Sequence, residues 1–545
     1  MRNSLIGSHT VGSEGMHPGK FHFRLLHCVV LAVALSAGTA GADVKLPALI
    51  GDNMVLQQGR QVAIWGTADA GEQVMVTLGE QKETAAADSN GKWKVELGPL
   101  KKGGPLEMTV AGKNTLTVHN VLAGEVWVCS GQSNMEMPVS THGGFGGVKN
   151  AEQEVAAANY SQLRLFIVTK AVAGKPQSDV QGQWMVANPA TVGSFSAVGY
   201  FFGRDLSRTL KFPVGLIDST WGGTEVEAWT SDEAMEADPD LKIVSDSSRQ
   251  RIIEFPGALQ SYQQKLGEWE KAAEDAEVKG IVAPNLPNAP KDPRSHSWRA
   301  SGLWNGMIAP LTPFAIAGAI WYQGESNADF AYQYRKVFAN MIQQWRISWG
   351  EGDFPFLFVQ LANFAAGGKY PDSWAVLRES QQKTLSLPKT GMAVAIDIGD
   401  SQDIHPRNKQ EVGRRLALAA ESVAYGRKVE YMGPTFKSLH AGAGTLHLRF
   451  SHAVGGLVVH GQSLTGFEIA GEDQKFFPAV ARIAGGEVVL SSTHVAKPVA
   501  ARYAWEDDPK CDLYNKQGLP APPFRTDDWP VSTQELVRTE AAKFW

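Results

Sequence analysis

Cysteine is scarce in this chain of 545 residues, and it has little excess charge of either sign. Of the three cysteines, Cys28 lies in an apolar N-terminal stretch, which leaves Cys129 and Cys511 for the rest of the chain. Two cysteines do not make a disulfide framework, so stability must come from a hydrophobic core, which a chain of this length can bury. The net charge of -5 implies no broad basic surface and argues against nucleic acid as a partner.

Long apolar runs are also rare. The stretch 25–35 is apolar, follows Arg24 and precedes small residues that end at Ala42. This order predicts a secretory signal peptide over 1–42, because the apolar run is shorter than the roughly 20 residues that span a bilayer. We therefore expect a secreted or periplasmic protein with no membrane span after the signal is cleaved.

Several familiar enzyme motifs are missing. The chain has no Gly-x-Ser-x-Gly elbow, no P-loop, no His-Glu-x-x-His and no dinucleotide-binding fingerprint. The first absence weakens the usual α/β-hydrolase interpretation, and the others leave nucleotide and zinc-protease chemistry without a motif. Any chemistry must therefore be sought in side chains at other positions.

The residues that are present follow three patterns along the chain. Short alternating apolar runs separated by turn residues predict a small N-terminal β domain over 43–121. Apolar strand-like runs then alternate with helix-like segments over 122–428, which predicts an α/β domain with a parallel sheet covered on both faces. A helical insertion occupies about 231–300, and the β pattern returns in a C-terminal domain over 429–545 that closes on a Pro-rich, aromatic segment.

A serine follows the first strand of the predicted parallel sheet. In "EVWVCSGQSN", a short apolar strand runs into a small polar cluster that contains Ser133. The same Gly-Gln-Ser tripeptide recurs at 461–463 in a stretch that is typical of a β-hairpin, so the tripeptide alone does not identify a site. Ser326 follows another predicted strand in "YQGESNA" and is a rival candidate nucleophile.

A histidine follows the last predicted strand of the same sheet. His405 has Asp403 and Asp400 two and five residues before it, and Pro406 is expected to open the next helix. A nearby carboxylate can orient an imidazole and stabilise its charged form. This pattern favours His405 as a general base.

Two further strand ends carry groups that could stabilise an oxyanion. The paired Gly222 and Gly223 let backbone N–H groups approach a ligand closely, and the side-chain amide of Asn327 is a second kind of donor. In open α/β sheets, sites form beyond the carboxyl ends of the strands, where all these residues fall. Together they supply the parts that acyl transfer needs.

Two other functions remain open from the residues. A two-carboxylate glycosidase would draw on Glu225, Glu227 and Glu325, but it would leave Ser133 and His405 without a role. A non-catalytic carbohydrate-binding protein would use some of the 16 tryptophans as stacking platforms. Retention of both the serine and the histidine favours the enzyme.

Taken together, the motifs resemble the SGNH hydrolase superfamily and, within it, the sialate O-acetylesterase family. The resemblance covers nearly the whole chain after residue 42, including the opening "LPALIGDNMVLQQ". It rests on six further blocks: "VWVCSGQSNMEMPV", "IDSTWGGTEVEAW", "LWNGMIAPL", "WYQGESNA", "DIGDSQDIHPRNKQEVGRRLAL" and "LYNKQGLPAPPFRTD". It implies a three-layer SGNH domain with a parallel sheet, flanked by β-sandwich-like domains.

The resemblance also assigns roles. It makes Ser133 of the first block the nucleophile, in preference to Ser326, and His405 the general base. It implies an oxyanion hole formed by the Ser133 backbone N–H, one glycine of the pair named above and Asn327.

The acid of the triad is less uniform among SGNH hydrolases. Many carry Asp three residues before the His, where this chain has Gln402, so we assign the role to Asp403 one residue closer. In some related acetylesterases the Glu of the Gln-Gly-Glu block supports the His, which makes Glu325 the alternative. If neither lies near the imidazole, the site is a Ser–His dyad.

The activity implied is that of a carbohydrate O-acetylesterase, with sialate O-acetylesterase as the first expectation. Acetylxylan esterases of the same broad group share similar blocks and are the alternative. The expected partner is an acetylated carbohydrate, and no metal or cofactor is expected. The candidate sugar contacts are Trp221, Trp229, Tyr322 and Arg525.

Overall fold

The structure is a computed structural model that describes residues 43–538. The predicted signal peptide over 1–42 and the last residues, 539–545, lie outside the described residues. Over the part that is described, no helix combines the length and the apolar character needed to cross a bilayer.

The N-terminal part is built from short strands with a two-residue period. In "KWKVEL", for example, Trp93, Val95 and Leu97 are buried while the lysines and glutamate between them are exposed. The strands are β1 Val55–Gln57, β2 Val62–Thr67, β3 Gln73–Leu78, β4 Gln81–Ala86, β5 Lys92–Leu97, β6 Gly103–Ala111 and β7 Thr115–Gly131. The first part of β7 pairs antiparallel with β6, and the rest of β7 enters the central sheet.

The central sheet confirms the predicted α/β class. It adds β8 Tyr160–Ile167, β9 Trp184–Ala187, β10 Val214–Thr220, β11 Gly318–Tyr322, β12 Phe356–Gln360 and β13 Thr390–Val394. The strand order is β13-β12-β11-β7-β10-β8-β9, and all neighbours are parallel except the edge pair β8 and β9. Every residue of β10 to β13 is buried, so both faces of the sheet are covered, as the continuous apolar runs predict.

Helices supply that cover. They are α1 Ser133–Glu136, α2 Ala151–Ala156, α3 Ala197–Leu210, α4 Asp232–Glu236, α5 Pro239–Lys279, α6 Ala331–Trp349, α7 Ser373–Lys383 and α8 Lys409–Val423. Helix α5 lies in the predicted insertion and is largely exposed. Helix α8 begins three residues later than expected from Pro406, because the Asn408 side chain caps it by accepting a 3.4 Å hydrogen bond from the Glu411 N–H.

The C-terminal part is a β structure of two four-stranded sheets and one two-stranded sheet, with a core of its own. Its strands are β14 Thr435–Ala441, β15 Leu446–Ser451, β16 Leu457–Val459, β17 Phe467–Ala470, β18 Phe476–Pro478, β19 Val480–Ala484, β20 Glu487–Ser491, β21 Ala500–Tyr503, β22 Leu513–Asn515 and β23 Phe524–Arg525. The four-stranded sheets have the orders β14-β15-β20-β19 and β18-β17-β21-β23. The hairpin predicted around 461–463 is wrong, because β16 pairs with β22 whereas β17 lies in another sheet.

A hydrophobic core runs without interruption from the N-terminal strands through the central sheet. Cys129 is buried in it, and Cys511 lies half-buried where this core meets that of the C-terminal part. Both thiols are free, so neither stability nor chemistry depends on a disulfide between them.

Candidate active site

Three neighbouring strands bring the predicted site residues to one edge of the sheet. Gly131 at the end of β7 lies opposite Thr220 of β10 on one side and Tyr322 of β11 on the other. Gly131 has φ +136°, and a Cβ there would lie 2.2 Å from the Tyr322 carbonyl oxygen. Only glycine permits this approach, so the turn that carries Ser133 is held directly against β11.

Ser133 is half-buried and is the first residue of α1. The preceding residue, Gln132, donates its backbone N–H to the Tyr322 carbonyl at 3.0 Å. Its side-chain oxygen accepts hydrogen bonds from the N–H groups of Gly324 and Ser326 at 3.1 and 3.3 Å. Gln132 therefore joins the serine turn to the loop after β11, a role that its position in the sequence did not reveal.

Gly222 lies beside the serine. A Cβ on Gly222 would be 3.3 Å from the Ser133 Cβ, so the glycine pair after β10 lies next to the candidate nucleophile. The Gly222 N–H donates to the Glu136 carboxylate, and the other oxygen of Glu136 lies 2.5 Å from Lys170 Nζ. Neither Glu136 nor Lys170 was identified from the sequence.

Asn134 connects the serine turn to the histidine loop. Its amide donates to Glu325 Oε1 at 2.6 Å and to the Ile404 carbonyl at 2.9 Å, and its Oδ1 accepts from Lys409 Nζ at 2.5 Å. Asn134 is 1% exposed, and Lys409 is fully buried. These bonds bring together residues next to Ser133 and His405, although the two lie far apart in the sequence.

His405 occupies a half-buried position at this junction. Its Nδ1 lies 3.9 Å from Asp403 Oδ1, and the same oxygen accepts the His405 backbone N–H at 2.8 Å. The Phe145 ring meets the imidazole edge to face, with ring centroids 5.1 Å apart. Burial and the nearby Lys409 ammonium lower the pKa of His405 below its ordinary 6.5, while Asp403 and Glu136 act in the opposite direction. The imidazole is therefore neutral near pH 7 and can accept a proton.

Half-buried Glu325 and buried Lys409 both contact Asn134 and influence each other electrostatically. Burial raises the pKa of Glu325 and lowers the pKa of Lys409 to about 7, and each charge partly offsets the penalty on the other. Glu325 Oε2 has no hydrogen-bond partner within the described chain. The carboxylate contacts Asn134 through its other oxygen and makes no hydrogen bond to the imidazole in the described chain.

Asn327 lies in a second buried network. Its amide donates to Glu227 Oε2 at 2.9 Å, and its Oδ1 accepts from the Val226 N–H at 3.1 Å. Glu227 and Glu225 are buried and form ion pairs with Arg538. Both carboxylates are thus engaged in the core, which removes the geometric basis for the glycosidase alternative.

Three of the four predicted sugar contacts are not available to a ligand. Trp229 and Tyr322 are fully buried. Arg525 is 6% exposed and is paired with Glu379 and Asp527. These corrections have one cause: aromatic and cationic residues near strand ends also serve as core and ion-pair residues, and sequence spacing does not separate the two uses.

Two tryptophans do lie at the edge of the site. Trp221 is half-buried, and Lys170 Nζ lies 5.4 Å from the centre of its ring. Trp298, from the end of the insertion, is also half-buried and donates its indole N–H to the carbonyl of Gly223. The insertion therefore reaches the site, a contact that no sequence pattern indicated.

The fold brings a serine loop and a histidine loop together at one edge of a parallel sheet, which is the arrangement of an SGNH-type α/β hydrolase domain. The family model described as carbohydrate esterase, sialic acid-specific acetylesterase, matches residues 296–422.

Known proteins match over much more of the chain. The chain is 32% identical to mouse sialate O-acetylesterase over 555 residues, which cover 91% of this chain and 96% of the mouse protein. It is 32% identical to the human sialate O-acetylesterase over 539 residues, 89% of this chain and 93% of that one. A crystal structure of a carbohydrate acetylesterase from Xanthomonas citri is 40% identical, with a TM-score of 0.75 over 89% of this chain and 100% of that chain. The chain belongs to the sialate O-acetylesterase family.

Proposed function

We propose that this enzyme removes acetyl groups from sugar hydroxyls, with O-acetylated sialic acids as the first substrate class. Ser133 attacks the acetyl carbonyl while His405 takes the proton from its hydroxyl. The bond between the acetyl carbon and the sugar oxygen then breaks, the protonated His405 gives its proton to that oxygen so that the sugar leaves with a free hydroxyl, and an acetyl group remains on Ser133. Water activated by His405 then releases acetate. The proposal rests on Asn134, which ties the serine turn to the histidine loop through Ile404.

The Ser133 hydroxyl and the His405 imidazole are expected to form their hydrogen bond when substrate binds. Within the described chain, the Ser133 hydroxyl makes no hydrogen bond to the imidazole. Catalytic hydrogen bonds are often long until substrate binds, and they shorten in the Michaelis complex. The Asn134 amide, which donates to the Ile404 carbonyl, holds the serine turn against the histidine loop before substrate binds.

Backbone N–H groups are the first candidates for oxyanion donors. The N–H groups of Ser133 and Gly223 have no hydrogen-bond partner in residues 43–538. By contrast, the Gly222 N–H is bonded to Glu136 and the Asn327 amide to Glu227. Gly222 or Asn327 would donate to the oxyanion only after exchanging these acceptors, which makes Ser133 and Gly223 the better-placed pair.

Asp403 is the carboxylate that geometry favours as the partner of His405. It lies 3.9 Å from Nδ1, whereas Glu325 is engaged with Asn134. The Asp403 side chain is 50% exposed, so its electrostatic effect is screened by water and should be modest. The Asp403 carboxylate orients the imidazole but stabilises its charged form only weakly. The site therefore functions almost as a Ser–His dyad.

The pH dependence of activity tests this assignment. Because the base must be unprotonated, kcat/KM should fall on the acid side only as pH drops through a pKa below 6.5. Asp403 raises the pKa of His405, so Asp403→Asn should move this limb to still lower pH. The measurement is acetate release as a function of pH. Asp400→Asn, another exposed carboxylate of the same loop, is the control and should leave the limb in place. An unchanged limb in Asp403→Asn would show that Asp403 is not the partner.

Substrate class is tested by an acetate-release panel. Purified enzyme is given O-acetylated sialosides, acetylated xylan and 4-nitrophenyl acetate, and kcat/KM is compared. We expect hydrolysis of all three, with the sialosides preferred, and none by Ser133→Ala. A preference for xylan would overturn the substrate assignment, and no acetate from any of the three would overturn the esterase proposal.

Secretion or export to the periplasm is proposed from the pattern of residues 1–42.

A further inference from the structure

Three metal-ligating side chains meet on one face of the C-terminal sheet, away from the serine and histidine loops. His440 of β14 lies directly opposite His447 of β15, and His447 lies opposite Val489 of β20. Glu487 is two residues before Val489 on β20, so it projects from the same face as the two histidines, diagonal to His447. Three adjacent strands thus contribute one ligand each.

The distances fit a small cation. One ligand atom from each residue can be chosen so that all three lie within 4.8 Å of one another. His447 Nδ1 and Glu487 Oε2 are 3.2 Å apart. A tetrahedral zinc ion with bonds of about 2.0–2.1 Å has ligand atoms about 3.3–3.4 Å apart, so this pair already spans one edge of the tetrahedron. The His440 and His447 rings are stacked, with centroids 4.6 Å apart, and His440 is exposed to solvent.

The neighbouring side chains orient the ligands in the way that supporting residues do at metal sites. The other ring nitrogen of His447, Nε2, lies 3.3 Å from the Thr445 hydroxyl, which holds Nδ1 toward Glu487. Arg449 donates to Glu487 Oε1 at 2.5 Å, which leaves Oε2 turned toward His447. Arg449 also brings positive charge, which weakens attraction for a cation. The ligands must therefore bind through strong metal–nitrogen bonds rather than through charge alone.

We propose that His440, His447 and Glu487 bind one divalent transition-metal ion of the zinc type. Two imidazoles and one carboxylate suit zinc, cobalt and nickel, whereas calcium and magnesium prefer oxygen ligands throughout. Three protein ligands leave the fourth position to water. To bind the ion, His447 presents an unprotonated Nδ1, and its one ring proton lies on Nε2, where it can be donated to the Thr445 hydroxyl. The ion links β14, β15 and β20, and it takes no part in ester hydrolysis.

The experiment titrates the purified full chain with cobalt chloride and zinc chloride. Visible absorption reports tetrahedral cobalt, and calorimetry reports zinc. We expect one saturable equivalent per chain in the wild type. Because losing a supporting residue alone costs about 10- to 100-fold in metal affinity, His440→Ala and His447→Ala should each weaken binding at least that much. Glu487→Gln, which keeps the shape of the side chain, should also weaken it.

The controls separate this site from other histidines and from misfolding. His494→Ala removes an exposed histidine elsewhere in the C-terminal part and should bind metal as the wild type does. Acetate release by every variant should match the wild type, which shows that each has folded. The proposal is overturned if the wild type binds no stoichiometric metal, or if the binding survives in His440→Ala and His447→Ala.

Discussion

Ser133→Ala is expected to reduce kcat for acetate release by on the order of 10⁵- to 10⁶-fold, the largest effect of any single substitution in the chain. Without the hydroxyl no acetyl-enzyme can form, and only binding and oxyanion stabilisation would remain. The measurement is acetate release from an O-acetylated sialoside under saturating substrate. A fluorophosphonate probe should label the wild type at Ser133 and leave the variant unlabelled.

Ser326→Ala is the matched control, since it follows a neighbouring strand in a similar motif. In the structure it is the Ser326 backbone N–H, not its hydroxyl, that bonds to Gln132. Its substitution should therefore leave kcat within a few-fold of the wild type. If Ser326→Ala abolished acetate release while Ser133→Ala did not, the assignment of the nucleophile would be reversed.

Lys409→Met is expected to lower kcat by about 10²-fold with little change in KM. The ammonium holds Asn134 Oδ1 and offsets the charge of Glu325. Without it, Asn134 loses a bond that fixes the serine turn against the histidine loop, and a misplacement of about 1 Å can cost this much. Because Lys409 lowers the pKa of His405, the acid limb of kcat/KM should also move to higher pH. Steady-state kinetics across pH measure both effects.

A helix-surface lysine provides the comparison for Lys409. The Lys383 side chain, on α7, is 51% exposed, and Lys383→Met should change neither kcat nor the pH profile. Glu325→Gln keeps the hydrogen bond from Asn134 while removing the charge, and it tests the same network if Lys409→Met proves too unstable to purify. Wild-type kcat and an unmoved acid limb in both Lys409→Met and Glu325→Gln would mean that the network does not position the catalytic groups.

The strands of the central sheet could be predicted because a strand that is buried on both faces consists almost entirely of apolar residues. Runs such as "FPFLFVQLA" have no polar period, and a strand buried on both faces needs none. The helix after His405 was placed only approximately, since capping by Asn408, not the proline, sets its start. Short strands of the C-terminal part were harder, because pairing partners there lie far apart along the chain.

The sequence predicted the candidate catalytic residues, but it did not predict the residues that hold them in position. Ser133 and His405 stand out because each follows an apolar strand with a polar cluster. No local sequence pattern identifies Gln132, Asn134 or Lys409 as site residues. Their role depends on hydrogen-bond partners about 190 to 275 residues away in the sequence. The buried Trp229 shows the opposite error, a residue of suitable type that the fold places in the core.

The sequence by itself determined the class of fold, the family and the residue types that perform the chemistry, because these depend on local pattern and motif. The family resemblance assigned the nucleophile to the Gly-Gln-Ser copy that ends at Ser133, but only the tertiary structure shows how the surroundings of the two copies differ. The copy ending at Ser133 follows the central strand of a parallel sheet, whose neighbours deliver their loops to the same edge. The copy at 461–463 is exposed on the C-terminal part, where no such convergence occurs among the described residues. The two tripeptides have the same residues. Only at Ser133 does the pairing of distant strands bring other candidate site residues next to the serine.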